Sequence, residues 1–420
     1  MVGAIALVEA KELYRSDTLL VRQVDAGEGK NWIITFDHHS IGAGFNRSGF
    51  GEEFLRDNGF SAIHVLGRGD DWYQYPDIFE ATAAVRAATA QADRKITYGS
   101  SMGGYAAIRL ANAVAADGVF ALSPQWSINP RRAQWEKRWS QDAHRIDWID
   151  AIDGPLKCNA RPVLIYDPRM KLDVEHVTRI AAETVSLRIP VPYSGHPSST
   201  FLGEISLLRP ILEAVLEDRC DPKSIREAIR DRRSSSSVYL GALAEQQSHL
   251  RRRTSLSLAR AAHAAKPESL LGMLSLARIL ARTNHYEEAL ALHRDIAIRT
   301  ERMPLYLVPF ADDLWLAGQR DEAISIGYEV VRTLPDAAHL RTWLAAMLAK
   351  SDAMPAAIEQ QAVAVALTPG NRRYRRRLYA YRVERWKGWA RRLVNLPGFA
   401  SAPNRLRPII KDHKKSIHAD

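Results

Sequence analysis

The sequence predicts an α/β half followed by an all-α half, and three observations carry that division. From about Ala4 to Leu216, short β-rich runs alternate with helical stretches, the pattern of a mostly parallel, eight-stranded sheet with helices on both faces. Beyond Glu217 the β signal stops, and Ala, Leu, Arg and Glu take over with helical spacing. Within that second stretch residue types recur every 34 positions, and a repeat of that length is a helix pair that must stack on its neighbours to bury its apolar face.

The strand runs are Ala6–Leu13, Leu19–Asp25, Trp32–Asp37, Ser61–Leu66, Lys95–Tyr98, Gly118–Leu122, Pro162–Tyr166 and Leu187–Pro192, the first two forming an antiparallel pair. Helices are expected at Gly51–Asn58, Asp77–Ala92, Met102–Ala116, Glu175–Val185 and Ser199–Glu217. At the end of the fifth run the chain reads Tyr98-Gly99-Ser100-Ser101-Met102-Gly103-Gly104, so a Gly99-x-Ser101-x-Gly103 pattern lies between a strand and a helix. A serine held on such a sharp turn needs small neighbours, because its backbone is strained and its hydroxyl must stand clear of the sheet. The helix that follows aims its first amides at the same place, and the amide of Met102 is one donor to an oxyanion forming there. A plain Gly-rich strand-to-helix turn is the alternative.

A polar stretch over 218–237 ends in Ser234-Ser235-Ser236-Ser237 and reads as a linker. Past it, Ala289, Ala323 and Ala357 are 34 apart, as are Ala277, Ala311 and Ala345, and Leu280, Leu314 and Leu348. Pro335 and Pro369 continue the series, and Pro267 lies two periods before Pro335. Small alanines belong where two helices touch, and a proline ends the second helix because it cannot continue the hydrogen-bond ladder. Three repeats follow, at about 270–303, 304–337 and 338–371, with a degenerate helix pair at about 238–269.

Composition narrows the function. The formal charge of +10 is concentrated: residues 371–420 hold 15 Lys+Arg against 3 Asp+Glu, a surplus of 12, which leaves −2 for the first 370 residues. A nucleic-acid domain carries its charge on a folded face, so no specific nucleic acid is expected. Cys158 and Cys220 stand singly without metal-ligand or disulfide spacing, and no apolar run reaches the roughly 18–20 residues of a membrane helix. Glu9, Lys11 and Glu12 interrupt the first apolar stretch, unlike a secretory leader. A cytoplasmic protein is expected, with peripheral membrane contact as a variant.

With these features the repeats resemble the tetratricopeptide family. Tyr286-Glu-Glu-Ala289 and Arg320-Asp-Glu-Ala323 begin second helices as that family does, although its Trp and Gly-Tyr positions are mostly replaced. The resemblance implies a protein or peptide partner. The first half, most of 1–217, resembles an α/β-hydrolase. In that family the nucleophile follows the fifth strand, as Ser101 does, and the acid and then the histidine come later in the chain. His196, in Tyr193-Ser-Gly-His196-Pro, follows the last strand run and would take the serine proton. The acid is Asp173 or Asp167, both in the loop after Pro162–Tyr166. Asp173 is preferred because Asp167 continues directly from the strand and would cap the turn with Pro168. The second oxyanion donor would be the backbone amide of Asp37 or His38 after the third strand, where Asp37-His38-His39 departs from the family's usual His-Gly. The resemblance thus implies a serine hydrolase acting on an ester or related acyl substrate without a cofactor. Acyl transfer would use the same residues, and an inactive scaffold or adaptor working through the repeats is the alternative of another class.

Other motifs keep two readings. Asp37, His38 and His39 would make a metal site only if adjacent side chains converged, against strand alternation, so no metal is expected. Arg68-Gly-Asp70 reads as the loop after the fourth strand rather than an adhesion signal. Trp72-Tyr73-Gln74 either faces the pocket or packs on the next helix. The segment Ser123–Pro155, with tryptophans at 126, 135, 139 and 148, is either an aromatic cap over a substrate or a small helical core. The arginine-rich stretch at 372–392, with Trp386, Trp389, Leu393 and Leu396 on one side of a helix, is read as the cap of the repeat stack, and otherwise as a surface for an anionic membrane.

Overall fold

Eight strands form one sheet in the order β1-β2-β4-β3-β5-β6-β7-β8. They are β1 (Ala10–Arg15), β2 (Leu19–Val24), β3 (Asn31–Phe36), β4 (Ala62–Gly67), β5 (Arg94–Ser100), β6 (Gly118–Leu122), β7 (Pro162–Tyr166) and β8 (Leu187–Pro190). This computed structural model describes residues 10–26 and 30–394, so Ala6–Glu9 of the first run and Leu396 lie outside the described residues. The β1–β2 and β2–β4 pairs are antiparallel, and the other five are parallel. All of β4 is buried, as befits a strand covered on both faces, and its sequence is accordingly a near-continuous apolar run.

The chain divides into two compact units, Met1–Ser275 and Leu276–Asp420. In the first, strand alternation sends neighbouring residues into opposite cores. Ile34, Phe36, Ile63 and Val65 pack with helices α2 and α3, whereas Ile33, Ala62, Ile96 and Tyr98 form the other cluster with Leu55 of α1. These helices are α1 (Glu52–Asp57), α2 (Ile78–Ala88) and α3 (Met102–Arg109). Next come α4 (Ser140–Arg145) and α5 (Asp150–Asp153) in the insertion after β6, and α6 (Lys171–Glu183) after β7. Then α7 (Ser198–Glu204) and α8 (Leu208–Leu216) replace the single helix expected over Ser199–Glu217. Pro210 cannot donate to the Ser206 carbonyl, so the helix stops and restarts with proline in its first turn, and Ser206 takes a φ of 54° between the two.

The stretch 218–237 is folded, which corrects its reading as a linker. Asp221 caps α9 (Pro222–Arg232) by accepting from the amides of Lys223 and Ser224. Ile225 and Ile229, one turn apart, are buried in the core that contains Ile33, worth roughly 1.5–3 kcal/mol each. In the serine run, Ser234 and Ser235 are exposed, whereas Ser236 and Ser237 are buried and each donates to Glu204 at 2.6 Å; Ser236 also caps α10 (Ser237–Gln247), which packs on α11 (Arg252–Ala265).

The helical repeats keep the predicted period. The division between units falls inside α12 (Leu270–Arg282), which is followed by α13 (Tyr286–Arg299), α14 (Pro304–Leu316), α15 (Arg320–Thr333), α16 (Ala338–Lys350) and α17 (Met354–Leu367). First helices therefore start at 270, 304 and 338, and second helices at 286, 320 and 354. Ala289, Ala323 and Ala357 are fully buried, as are Ala311, Ala345 and Leu314. Pro267, Pro335 and Pro369 each stand two residues past the end of a helix. The basic α18 (Arg372–Val394) packs on α17, where Gln361 donates to the Tyr374 carbonyl and half-buried Tyr381 joins the repeat core, while Trp389 is 58% exposed. Among the described residues no helix is long and apolar enough to cross a membrane.

Candidate active site

The β5–α3 turn puts Ser101 where a strand ends and a helix begins, with φ 56° and ψ −113°, a conformation L-residues rarely adopt. The turn closes only because its neighbours lack side chains. A Cβ on Gly99 would lie 2.1 Å from the Gly103 carbonyl oxygen, and one on Gly103 would lie 2.3 Å from that of Phe36. The strained serine is thereby held against the end of β3.

Three side chains far apart in sequence meet there. Ser101 Oγ is 3.0 Å from His196 Nε2, and His196 Nδ1 is 2.7 Å from Asp173 Oδ2. Asp173 is 1% exposed, and it lies in the first turn of α6 rather than in a loop as expected, where a helix N-terminus favours a carboxylate. Asp167 does not reach the imidazole. Its carboxylate accepts from the amides of Gly195 at 3.0 Å and Arg169 at 2.9 Å, fastening the turn that carries His196.

Of the expected oxyanion donors, Met102 begins α3 with its amide at the helix N-terminus, and His38 lines the cavity beside Ser101. The Asp37 amide is a correction, because it donates to the Tyr73 hydroxyl at 2.5 Å and is already engaged. The Asp37 carboxylate turns inward to Arg47 at 2.8 Å and to the Gly67 amide, whereas His39 turns to Asp142 at 3.2 Å. The three adjacent side chains therefore diverge, and among the described residues no group of three or more His, Cys, Asp or Glu is placed to hold a metal ion.

Sequence reasoning missed Gln125. Its Oε1 accepts from Trp72 Nε1 at 2.5 Å, which leaves its Nε2 to donate to Ser101 Oγ at 3.1 Å. With that donor in place, the serine hydroxyl proton points to His196 Nε2. Trp72 and Tyr73 are buried in the core rather than lining the cavity, and Gln74 bonds the Tyr105 hydroxyl.

Sequence reasoning also missed the charged network behind the acid. Arg138 donates to Asp173 Oδ1 at 2.7 Å and pairs with Glu136 at 2.8 Å, and His176 Nε2 lies 3.1 Å from Glu136. Burial favours a neutral Glu136, but the hydrogen bonds from His176 and Arg138 outweigh it and hold that carboxyl down at about 2. Burial pushes the His176 imidazole down as well. A glutamate and an arginine flanked by Trp135 and Trp139 were the one sequence signal, since charge inside an aromatic run must be paired when the run is buried.

The cavity over Ser101 measures about 470 Å³ and is lined by His38, His39, Phe50, Trp139, His196 and Thr200, among others. That volume lies within the range of small-molecule pockets, about 300–1,000 Å³. Of the four insertion tryptophans only Trp139 lines it, with its ring 5.7 Å from that of His196. Trp126 is buried and bonded to Glu183, and Trp148 bonds the Ala143 carbonyl. The insertion is thus mainly a small core that lends one aromatic wall.

No family model matches the chain, and no curated protein matches it. Solved structures do. A thermophilic TPR protein of Thermus thermophilus is 20% identical over 43% of this chain and 99% of its own, with a TM-score of 0.32. YrrB, described as a TPR protein with an unusual peptide-binding site, is 17% identical over 41% of this chain and 86% of its own, with a TM-score of 0.30. MamA of Desulfovibrio magneticus RS-1 is 16% identical over 35% and 85%, with a TM-score of 0.29.

Proposed function

We propose that the sheet unit is a serine hydrolase of the α/β-hydrolase type acting on a small ester or related acyl group, and that the repeat unit binds a protein or peptide. The observation that carries the first part is the Ser101–His196–Asp173 chain at 3.0 and 2.7 Å. Support also comes from its chain order, with the serine after β5, the acid after β7 and the histidine after β8.

In this reading Ser101 Oγ attacks the acyl carbonyl while its proton passes to His196 Nε2, and Asp173 holds the opposite ring nitrogen. The amides of Met102 and His38 stabilise the oxyanion. His196 then gives the proton to the departing alkoxide, leaving acyl-Ser101. Water attacks that ester with His196 as base, and the acid leaves. An acceptor hydroxyl in place of water makes the same site an acyltransferase.

Hydrolysis of p-nitrophenyl esters of increasing chain length by the full-length protein tests the reading. Turnover that favours short chains and disappears in Ser101→Ala supports it. Wild-type protein that turns over none of them favours the second reading, an adaptor with a silent hydrolase fold. That alternative draws on the repeat unit, where Ile298, Phe310 and Ile326 line a depression of about 550 Å³ with Arg294 and Glu322, and Ile298 is 77% exposed.

A further inference from the structure

We infer that Arg138 is a positioning residue through which the insertion after β6 sets the orientation of the candidate acid Asp173. This inference rests on the hydrolase reading for its consequence in turnover, though not for its structural content.

The Asp173 carboxylate has two oxygens and two partners: Oδ2 meets His196 Nδ1 and Oδ1 meets Arg138 NH1, each at 2.7 Å. A carboxylate held at one oxygen swings about its terminal torsion, which is broad and soft. Held at both, it presents a fixed lone pair to the imidazole. Arg138 is in turn held from behind, since its Nε and NH2 face Glu136 at 3.1 and 2.8 Å. Glu136 is fixed by His176 Nε2, whose Nδ1 accepts from the Trp126 amide at 3.0 Å. The relay therefore runs from the insertion backbone at Trp126 through His176, Glu136 and Arg138 to Asp173. Asp173, Glu136 and His176 are each at most 5% exposed, so water cannot easily substitute for a lost partner.

The same segment builds the cavity wall. Trp139 follows Arg138 in the chain, lies beneath its guanidinium at 4.4 Å, and contacts the His196 ring. One two-residue step thus touches both the base and the acid. An insertion docked differently would move the pocket wall and loosen the acid together.

The proton between His196 Nδ1 and Asp173 Oδ2 gives a far-downfield 1H NMR signal when that hydrogen bond is short and shielded from solvent, and its loss in Asp173→Asn identifies it. Full-length wild type, Arg138→Lys, Arg138→Met and the pair Glu136→Gln/Arg138→Met are compared by this signal, by thermal unfolding and by the rate of fluorophosphonate labelling. The paired variant removes the carboxylate that Arg138→Met alone would leave buried and unpaired, so a folded comparison exists. The expected result is loss of the signal in both Met variants, with labelling slowed about 10²-fold, and retention of the signal in Arg138→Lys with labelling within about 10-fold of wild type. A folded Met variant that keeps the signal and the labelling rate overturns the inference, as does wild type with no such signal. Wild type that shows the signal yet is never labelled contradicts the hydrolase reading instead, and the signal in the Met variants then decides the role of Arg138.

Discussion

The sheet unit and the repeat unit solve the problem of bringing residues together in opposite ways. In the first, Ser101 and His196 are 95 positions apart and meet at 3.0 Å, with Asp173 arriving from a third segment. In the second, buried alanines at 289, 323 and 357 serve helix pairs that follow one another along the chain. A site of converging side chains needs a sheet whose crossovers gather distant loops at one edge. A stack of pairs yields an extended surface whose parts depend mainly on their neighbours. Substitutions in the two units should therefore fail differently, in chemistry for one and in local stability for the other.

The largest expected effect is Ser101→Ala, which lowers fluorophosphonate labelling and ester turnover by about 10³-fold or more while leaving the urea midpoint unchanged. A midpoint that moved with activity would make Ser101 a structural residue. Asp173→Asn comes next, with a loss of about 10²–10⁴-fold in turnover, against less than about 10-fold for Asp167→Asn, whose carboxylate only fastens the Gly195 turn. Equal losses would erase that distinction.

A pH dependence sharpens the contrast on the stability side. His64 in β4 is 1% exposed, its Nδ1 meets Thr35 Oγ1 at 2.6 Å, its Nε2 has no partner, and burial pushes its pKa from 6.5 down to about 4. On acidification the unfolded chain takes up the proton first, so stability falls from about pH 6.5 to 4, by about 3 kcal/mol for this residue. Glu136 has its folded pKa depressed instead, so its contribution is present above about 4.5 and is lost as the pH falls towards 2. Hydrogen exchange at pH 7 and pH 4.5 should show protection falling in β4 more than in α15, and His64→Leu should flatten that difference. Equal losses in both units would count against the assignment to His64.

Smaller effects follow. Ala323→Leu overpacks a fully buried helix contact and should cost about 1–3 kcal/mol, read as faster exchange in α15 with labelling of Ser101 unchanged. Gln125→Leu removes the donor to Ser101 Oγ and leaves the buried Trp72 Nε1 without its acceptor, so it should slow labelling about 10-fold and cost about 1–3 kcal/mol of stability. Loss of labelling in Ala323→Leu would break the independence of the two units' failures.

What was legible in the sequence follows the same line. The repeat period could be read to the residue, because a helix pair repeats its small contact positions and its terminal proline at fixed spacing. All eight strand runs were visible from composition, and the strand–serine–helix turn from its glycines. The choice between Asp173 and Asp167 was not decided by spacing, because it depends on where α6 begins, and the helix starts at Lys171, four residues before the expected Glu175. Arg138, Glu136, His176 and Gln125 left almost no trace, since each acts through a partner 24–40 positions away. The supposed linker misled for a plainer reason: a polar stretch with two isoleucines one turn apart still buries one face, and its last two serines hydrogen-bond the half-buried Glu204.

The most direct test of the central claim is the site of covalent modification when the full-length protein reacts with a fluorophosphonate, read by mass spectrometry of the peptide spanning Lys95–Arg109. The account predicts a single adduct on Ser101, not on Ser100, that is absent in Ser101→Ala and slowed in His196→Ala. A folded wild-type protein that takes no adduct, or takes it elsewhere, would contradict the claim that these three residues form a working nucleophile.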